Sequence, residues 1–412
     1  MYEKSLPVIC VVFIIFIVSL FPICSSSVFK DDLISCYDIV VPDDYCCIQD
    51  ALDAACEDYC IFVRSGVYNE SIMFSKKGVS LIGENRNDTV ISAKGFINVV
   101  GIFSDAVCIK GFSVSGCLGS GVVINGCNIS VEDVVVEGCG GSGIELLESD
   151  NVTLKNNCII SNENGIDIKS SNYNLIKSNS ISENLWFGII LQNSNNNTIK
   201  DNAFNENERY GAYLILSDNN IVKNNRFSKN LRVGFINWMS NNTIIQKNLI
   251  KDNLEGGLVI SKCFKNTIIE NEITNNKWAG LDINSSNNNS VSNNSIKNNG
   301  NYGCGFYNSN DNKITYNDII NNSYGYYLDR SYNNSILNNN FVNNDIHAYF
   351  YKSYYNHWDS NYWDDWIGLR FRFGLKRIIL RLIPKFIFGK ITIRSKDISW
   401  FVLDKNPVSN RY

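Results

Sequence analysis

The sequence predicts an all-β fold, a single-stranded right-handed parallel β-helix: a solenoid of about a dozen coils of 22–23 residues, with an N-terminal capping helix and a C-terminal tail. Two observations carry this prediction. Glycines and asparagines repeat at a fixed period, and apolar residues keep the same register. A chain of 412 residues would otherwise suggest about two or three globular domains, but stacked repeats lengthen a protein without enlarging one core.

The repeat is marked by one glycine and two asparagines in each copy. The glycines recur every 23 residues, at Gly165, Gly188, Gly211, Gly234, Gly257, Gly280 and Gly303. The first asparagine follows 14 residues later, at Asn179, Asn202, Asn225, Asn248, Asn271, Asn294 and Asn317. The second follows 19 residues after the glycine, at Asn184, Asn207, Asn230, Asn253, Asn276, Asn299 and Asn322. Seven registered copies of three positions indicate one structural unit stacked on itself.

Apolar residues divide each copy into three short segments. Eleven residues after the glycines stand Ile176, Ile199, Val222, Ile245, Ile268, Val291 and Ile314, and 16 residues after them stand Ile181, Phe204, Phe227, Ile250, Ile273, Ile296 and Ile319. These segments alternate in polarity and are separated by Asn, Ser and Gly turns, which is the signature of strands. We expect identical positions to stack one coil apart, with aliphatic ladders inside and asparagine ladders at the bends.

The N-terminus has the features of a secretory signal: Lys4, an apolar run over 6–23 and three serines at 25–27. A retained membrane anchor is the alternative. We therefore divide the chain into a signal or anchor (1–27), an N-terminal cap with a cysteine cluster (28–62), the β-helix repeats (63–360) and a C-terminal cap or basic apolar tail (361–412). The predicted location is secreted or cell-surface.

A short amphipathic helix over 48–55 and strands over 60–63 and 79–83 are predicted to cap the first coil, because a solenoid end exposes strand edges. The disulfide candidates are Cys36, Cys46, Cys47, Cys56, Cys60, Cys117 and Cys139. The last two both stand four residues before a glycine and should stack on adjacent coils, either as a disulfide or as two buried thiols.

Three stretches resemble a known family. The segment 63–72 and the sequence Leu81-Ile82-Gly83-Glu84-Asn85 look like the opening coils of pectin-lyase-like β-helix proteins, and the Gly-Ile-x-Leu…Asn-x-Ile…Asn pattern looks like NosD-type repeats, named for a periplasmic copper-binding protein. The motif Asn361-Tyr362-Trp363-Asp364-Asp365-Trp366 is similar to the one that closes many archaeal and bacterial surface proteins of this type. The resemblance covers about residues 38–370 and implies the fold, but it does not imply one activity.

The catalytic patterns of the lyases, polygalacturonases and epimerases that share this architecture are missing from the sequence. One acidic patch remains: Glu145 and Asp167 both follow a glycine by two residues and should lie on adjacent coils, with Lys169 beside them. It is a solvated surface group, a weak Ca²⁺ site or an acid/base pair. Copper prefers Met, His and Cys ligands. Only two histidines occur, and Met73 and Met239 are the only methionines after the signal, which argues against copper.

A stripe of large side chains precedes successive glycines by two residues, at Trp186, Arg209, Arg232, Glu255 and Trp278. Aromatic faces pack on sugar rings and charged groups bond hydroxyls, so the stripe is a candidate carbohydrate-binding surface. The alternative is that these side chains only cover a bend.

The tail over 370–394 places apolar residues on one face of a predicted helix and basic residues on the other. It is either a cap over the last coil or a membrane-surface segment.

The net charge of −4 provides no basic surface that would bind nucleic acid. The predicted function is therefore a non-catalytic surface protein that binds glycans or forms part of an envelope or adhesive layer. A divergent polysaccharide lyase, glycosidase or epimerase, and an accessory protein for metal-centre assembly, are the alternatives.

Overall fold

A computed structural model describes residues 37–366, 369–373, 376–380, 384–393 and 396–411. The signal or anchor segment and Cys36 lie outside these residues. Within them the chain is a parallel β-helix, as predicted, in which three strands per coil build three sheets. Strands of the coils pair in parallel with their counterparts one coil away, and with an antiparallel C-terminal hairpin that joins the third sheet the three sheets contain 15, 14 and 15 strands.

The first sheet follows one side of the coil through its whole length. Its strands are Ile39–Val41, Cys60–Val63, Ser80–Gly83, Cys108–Lys110, Ser130–Glu132, Thr153–Lys155, Leu175–Lys177, Thr198–Lys200, Ile221–Lys223, Ile244–Gln246, Thr267–Ile269, Ser290–Ser292, Lys313–Thr315, Ser335–Leu337 and His357–Asp359. Parallel stacking thus begins at Ile39, inside the segment that the sequence assigns to the N-terminal cap.

The second sheet follows after a bend at each coil. Its strands are Gly66–Tyr68, Thr89–Ser92, Ser113–Ser115, Val135–Glu137, Cys158–Ile160, Ser180–Ser182, Ala203–Asn205, Arg226–Ser228, Leu249–Lys251, Glu272–Thr274, Ser295–Lys297, Asp318–Ile320, Asn340–Val342 and Tyr362–Trp363.

The third sheet has the longest strands in the coils and carries the candidate site. Its strands are Ile72–Phe74, Val100–Ile102, Val122–Ile124, Ser142–Leu147, Asn164–Lys169, Phe187–Gln192, Tyr210–Ile215, Phe235–Trp238, Leu258–Ser261, Ala279–Asn284, Tyr302–Tyr307, Tyr324–Asp329, Ile346–Tyr351, Lys385–Ile393 and Lys396–Asp404.

Buried asparagine ladders hold the bends together. Asn294 is 1% exposed, and its Nδ2 donates to Ile268 O at 2.9 Å and to Asn317 Oδ1 at 2.9 Å. Its own Oδ1 accepts the backbone N–H of Asn271 at 2.9 Å. The residue before it, Asn293, is exposed with φ 54°, a left-handed conformation that asparagine tolerates better than most residues. The bends of neighbouring coils are therefore joined by hydrogen bonds of the asparagine amides, as the repeat predicts.

The repeated glycine stands where the chain enters the third sheet. A Cβ at Gly165 would lie 2.3 Å from Gly188 O and 2.4 Å from Ile181 Cγ2, so no larger residue fits between this bend and the next coil. This close approach explains why the glycine repeats at the full period of the coil.

The N-terminal end is capped by the predicted helix, Ile48–Ala54. Ile48, Ala51 and Leu52 face the core, and the Glu70 carboxylate accepts the backbone N–H groups of Ile48 and Gln49 at 2.9 Å each. This satisfies two donors that a helix start leaves free.

The C-terminal tail is not helical where the structure describes it, so the helix expected over 370–394 is wrong. Leu369–Phe373 pairs with Lys376–Leu380, and Lys385–Ile393 forms an antiparallel hairpin with Lys396–Asp404. The hairpin joins the third sheet beside Ile346–Tyr351 and buries Ile387 against the last coil. Asp404 accepts from Asn361 and from Trp363 Nε1, so it ends one asparagine ladder.

Candidate functional site

The outer face of the third sheet collects the side chains that stand one residue before, two residues after and four residues after the repeated glycine. Residues one and three positions after the glycine, such as Ile166 and Ile168, are fully buried in the core. Those two and four positions after it alternate outward and stack in register from coil to coil. This face therefore presents ordered rows of side chains about 4.8 Å apart along the axis.

The acidic patch lies on this face as predicted, because Glu145 pairs with Asp167 on the adjacent coil. Lys169 bridges them, with Nζ 2.7 Å from Glu145 Oε1 and 3.0 Å from Asp167 Oδ2. Ser120 Oγ donates to Glu145 at 2.8 Å and Gln192 Nε2 to Asp167 at 3.3 Å. Burial raises the pKa of Asp167, and the Lys169 ammonium opposes that shift. Both carboxylates are already bonded to one cation, so Ca²⁺ binding and acid/base catalysis here stay predictions.

The predicted stripe runs along the bend that leads into the third sheet. Backbone N–H groups of Arg232, Glu255 and Trp278 donate in turn to the carbonyls of Arg209, Arg232 and Glu255, which places these residues on successive coils. Trp186 is 42% exposed and Trp278 57% exposed. They are four coil steps apart, roughly 19 Å. The stripe is a real surface row, and its ligand stays a prediction.

The charged residues of the stripe contact their neighbours. The Arg209 guanidinium lies 4.4 Å from the centre of the Trp186 ring, and Arg232 Nε lies 4.0 Å from Glu255 Oε1. Phe187 stacks on Tyr210 at 5.6 Å and on Tyr213 at 5.7 Å, both on the outer face beside Trp186. The N-terminal half of the face therefore joins aromatic rings with a cation.

A larger aromatic group lies nearer the C-terminal end of the same face. We call Tyr302, Tyr307, Tyr324, Tyr327 and Tyr349 the tyrosine cluster. The Tyr302 and Tyr327 rings are 4.9 Å apart, and Tyr327 stacks on Tyr349 at 5.7 Å with an interplanar angle of 14°. Trp278 of the stripe meets Tyr302 edge to face at 6.4 Å, so stripe and cluster are continuous. The sequence analysis did not predict the tyrosine cluster.

Asp282 lies at the edge of the tyrosine cluster, two residues after a repeated glycine. It pairs with Gly305 on the next coil, where a Cβ would come within 2.7 Å of Asp282 Oδ1 and 2.8 Å of Tyr307 Cε2. Oδ1 is buried and has no hydrogen-bond partner among the described residues. Burial raises the pKa of Asp282 to about 6. A buried acceptor without a partner costs about 1–3 kcal/mol, so its retention calls for an explanation.

A row of lysines crosses the outer face of the first sheet, away from the aromatic residues. Lys155, Lys177, Lys200 and Lys223 pair directly on successive strands. Lys155 has a counter-ion, with Nζ 3.2 Å from Glu132 Oε2. We call these four residues the lysine ladder. Like charges placed directly opposite each other weaken a sheet, so this row costs stability.

Two groups of described residues bring three metal-competent side chains together. The first is His347 with Asp364 and Asp365. Asn344 Oδ1 accepts from Asn322, so Asn344 Nδ2 faces His347 Nδ1 at 3.3 Å. Nδ1 is then the acceptor, and Nε2 carries the proton toward Asp364 Oδ1 at 2.8 Å.

That tautomer leaves His347 no free lone pair, and Lys385 Nζ already lies 2.5 Å from Asp365 Oδ2. The second group is Cys46, Cys47 and Asp50. Burial, followed by a hydrogen bond with Asp50, raises the pKa of Cys47 to about 11, which keeps the thiol protonated at neutral pH. Metals bind the thiolate. The absence of copper binding stays a prediction.

The predicted contact between Cys117 and Cys139 is present as two buried thiols on adjacent coils. A hydrogen bond between the thiols, with burial, raises the pKa of Cys117. Disulfide formation by this pair and by the N-terminal cysteines stays a prediction. No helix within the described part of the chain has the length and apolar character needed to cross a membrane.

Two family models match the sequence. One, described as "Right handed beta helix region", matches residues 120–236, and the other, described as "Periplasmic copper-binding protein (NosD)", matches residues 217–368. Their ranges overlap and together span the coils that carry the stripe and the tyrosine cluster. No curated protein matches the sequence significantly.

Several solved structures share the fold. Tailspike protein 3 of bacteriophage CBA120 is 13% identical with a TM-score of 0.54, over 73% of this chain and 56% of the tailspike. The Dettilon tailspike protein is 14% identical with a TM-score of 0.53, over 69% and 60%. The catalytic domain of a GH87 α-1,3-glucanase in complex with tetrasaccharides is 15% identical with a TM-score of 0.52, over 68% and 64%. This chain thus spans less than two thirds of each, and the likeness is one of fold.

Proposed function

The chain is a right-handed parallel β-helix protein with NosD-type repeats, and from this premise we propose that it is an exported, non-catalytic glycan-binding protein. The outer face of the third sheet, together with the stripe, holds an extended carbohydrate chain along the axis. The continuous aromatic surface from Trp278 through the tyrosine cluster is the observation that carries the proposal.

The physical argument is one of complementarity between this face and a sugar chain. Aromatic rings offer flat apolar surface, and the tyrosine hydroxyls offer polar groups at the edge of each ring. The members of the tyrosine cluster are half-buried, so their rings are held in place by each other while one edge remains open to solvent. Because these rings already have a fixed orientation, they lose little conformational freedom when a ligand binds, and this favours affinity.

Several comparisons support the proposal without deciding it. Tailspikes and a glucanase solved with tetrasaccharides share this architecture, so the fold is compatible with a glycan partner. The NosD model is described as periplasmic, which favours an exported protein. A role in an envelope or adhesive layer fits the same face, because such a layer presents glycans. Contact of the tail at 370–394 with a membrane surface stays a separate prediction.

Catalysis is the main alternative. It rests on Glu145, Asp167 and Lys169, which are close enough to share one ammonium. The arrangement favours a closed ion cluster over an acid/base pair, because the Lys169 ammonium is already bonded to both carboxylates. The metal-assembly alternative rests on the family description alone, and we propose that this chain binds no copper, since the Cys47 thiol is held protonated and both ring nitrogens of His347 are hydrogen-bonded.

The test is incubation of the full chain with a panel of polysaccharides, with and without Ca²⁺, followed by measurement of both retention and product mass. We expect retention with unchanged polysaccharide mass. Truncation of Trp278 or Tyr327 to alanine should weaken retention by about 2- to 10-fold per ring. Tyr332→Ala is the matched control, because Tyr332 lies outside this face, where its ring stacks on that of Tyr354 with the ring centres 5.8 Å apart.

Two results would overturn the proposal. Shortened or unsaturated products would show an enzyme, and Glu145 and Asp167 would then be the first residues to replace. Equal retention by the Trp278→Ala, Tyr327→Ala and Tyr332→Ala variants would show that the aromatic face does not hold the glycan.

A further inference from the structure

We infer that Asp282 and the tyrosine cluster form a subsite for one uncharged sugar residue, in which the Asp282 carboxylate accepts hydrogen bonds from two neighbouring hydroxyls. This inference rests on the proposed function and narrows it, because it names the chemical class of the sugar. It also assigns Asp282 as the polar residue that orients the glycan on an otherwise aromatic surface.

The first step is the unused acceptor. Asp282 Oδ1 is buried and has no hydrogen-bond partner within the described residues, whereas most buried polar atoms have one. The residue as a whole is only half-buried, so a ligand on the outer face meets the exposed part of the side chain, and Oδ1 accepts a hydrogen bond once the neighbouring Tyr307 ring shifts. An acceptor kept in this state is satisfied when a ligand brings its own donors.

The second step is the shape of the surface around it. Gly305 lies directly opposite Asp282 on the next coil, and the space that a Cβ would occupy there is filled by Asp282 Oδ1 and the Tyr307 ring. Tyr302 stands edge to face with Tyr307 at 6.4 Å, and Tyr327 lies 5.9 Å from Tyr307. The carboxylate therefore lies at the foot of a wall of rings, which is the arrangement that a pyranose requires: hydroxyls toward the acid and carbon faces toward the rings.

The third step is charge. Asp282 lies between Val259 and Gly305 in its row, and its strand neighbours on the face are Ala279 and Asn284. None of these residues carries a positive charge. A sugar with its own carboxylate or sulfate would place a second negative charge beside Asp282 without a counter-ion, which is unfavourable in a partly buried site. The cations of the face are engaged with other groups: Arg209 and Lys262 lie over the rings of Trp186 and Trp238. Lys169 is bonded to Glu145 and Asp167, and Arg232 lies beside Glu255.

The test is titration calorimetry of the full chain with hexasaccharides of glucose and of mannose as neutral probes and the galacturonate hexamer as the acidic probe. We expect a neutral probe to bind more tightly than the galacturonate hexamer. Asp282→Asn should weaken that binding by about 10- to 100-fold, because hydrogen bonds to a charged acceptor are lost. Asp311→Asn, the same change at an exposed bend outside the face, is the matched control and should have no effect.

The outcomes separate this inference from the proposed function. If Tyr327→Ala abolishes binding but Asp282→Asn does not weaken it, the aromatic face binds glycan and the role of Asp282 is overturned. Tighter binding of the galacturonate hexamer by the wild-type chain also overturns the inference and leaves the proposed function standing. Absence of binding to every probe by the wild-type chain overturns both.

Discussion

Replacing Asn294 by alanine tests the physical basis of the fold most severely. The side chain accepts the backbone N–H of Asn271 and donates to Ile268 O and Asn317 Oδ1, each at 2.9 Å. Alanine removes the amide and leaves the Asn271 N–H buried without a partner, while Ile268 O and Asn317 Oδ1 each lose one of their donors. The unpaired N–H costs about 1–3 kcal/mol and each of the two other lost hydrogen bonds about 0.5–1.5 kcal/mol, so we expect a loss of roughly 2–6 kcal/mol.

The adjacent residue provides a matched control. Asn293 is exposed, with φ 54°, and glycine adopts that conformation without strain. Asn293→Gly should therefore change the free energy of unfolding by no more than about 0.5 kcal/mol. Both variants are compared by denaturant unfolding, and hydrogen exchange locates the damage, which should concentrate in the coils on either side of the substituted bend. Equal stability of the two variants would refute the claim that the asparagine ladders stabilise the coils.

Three further predictions follow from individual charges. Burial raises the folded-state pKa of Asp282 to about 6 from 3.8, so ionisation of this carboxyl group destabilises the fold as pH rises through that range. Asp282→Asn should therefore raise the free energy of unfolding by up to about 3 kcal/mol at pH 8 and by almost nothing below pH 4. An equal gain at both pH values in denaturant unfolding would contradict this prediction. Lys200→Gln should stabilise the protein by about 0.2–1 kcal/mol at low salt by relieving the lysine ladder, with the gain disappearing in 1 M salt; a gain that persists there would show another cause. Calorimetry should detect no Ca²⁺ binding by the wild-type chain but should detect it in Lys169→Ala, because that variant lacks the ammonium that bridges Glu145 and Asp167. A heat of Ca²⁺ binding in the wild-type chain would show that Lys169 does not occupy the site.

The sequence was sufficient to predict the coils because their determinants repeat. Asn294 and its counterparts stand at one spacing, and the same spacing places them in one ladder. The N-terminal helix was also predictable, since Ile48, Ala51 and Leu52 mark one apolar face. The stripe of Trp186 and Trp278 followed from the same register.

The tail was mispredicted because a short run of alternating apolar and basic residues fits a helix as readily as a hairpin when no repeat fixes the period. Its strands are decided by pairing, for example of Lys385–Ile393 with Lys396–Asp404 and with the edge of the last coil. Such long-range contacts override local preference.

The tyrosine cluster escaped prediction because its members occupy three different positions relative to the glycine. Tyr302 and Tyr324 precede it by one residue, Tyr327 follows by two and Tyr307 by four. The tyrosines therefore do not form a single row at one repeat position. Their rings come into contact because side chains at all three positions point outward from the third sheet. Asp282 stands in the same row as Glu145 and Asp167 and could have been named from the sequence, but its close approach to Gly305 one coil away is seen only in the structure.

Hydroxyl-radical footprinting of the full chain, with and without a glycan that it retains, tests the central claim most directly. The account predicts that the glycan protects Trp278, Tyr302, Tyr324 and Tyr327 on the outer face of the third sheet and leaves Tyr332 unprotected. Protection of Tyr332 without protection of the tyrosine cluster, or uniform protection of all these residues, would contradict the claim that this face holds the carbohydrate.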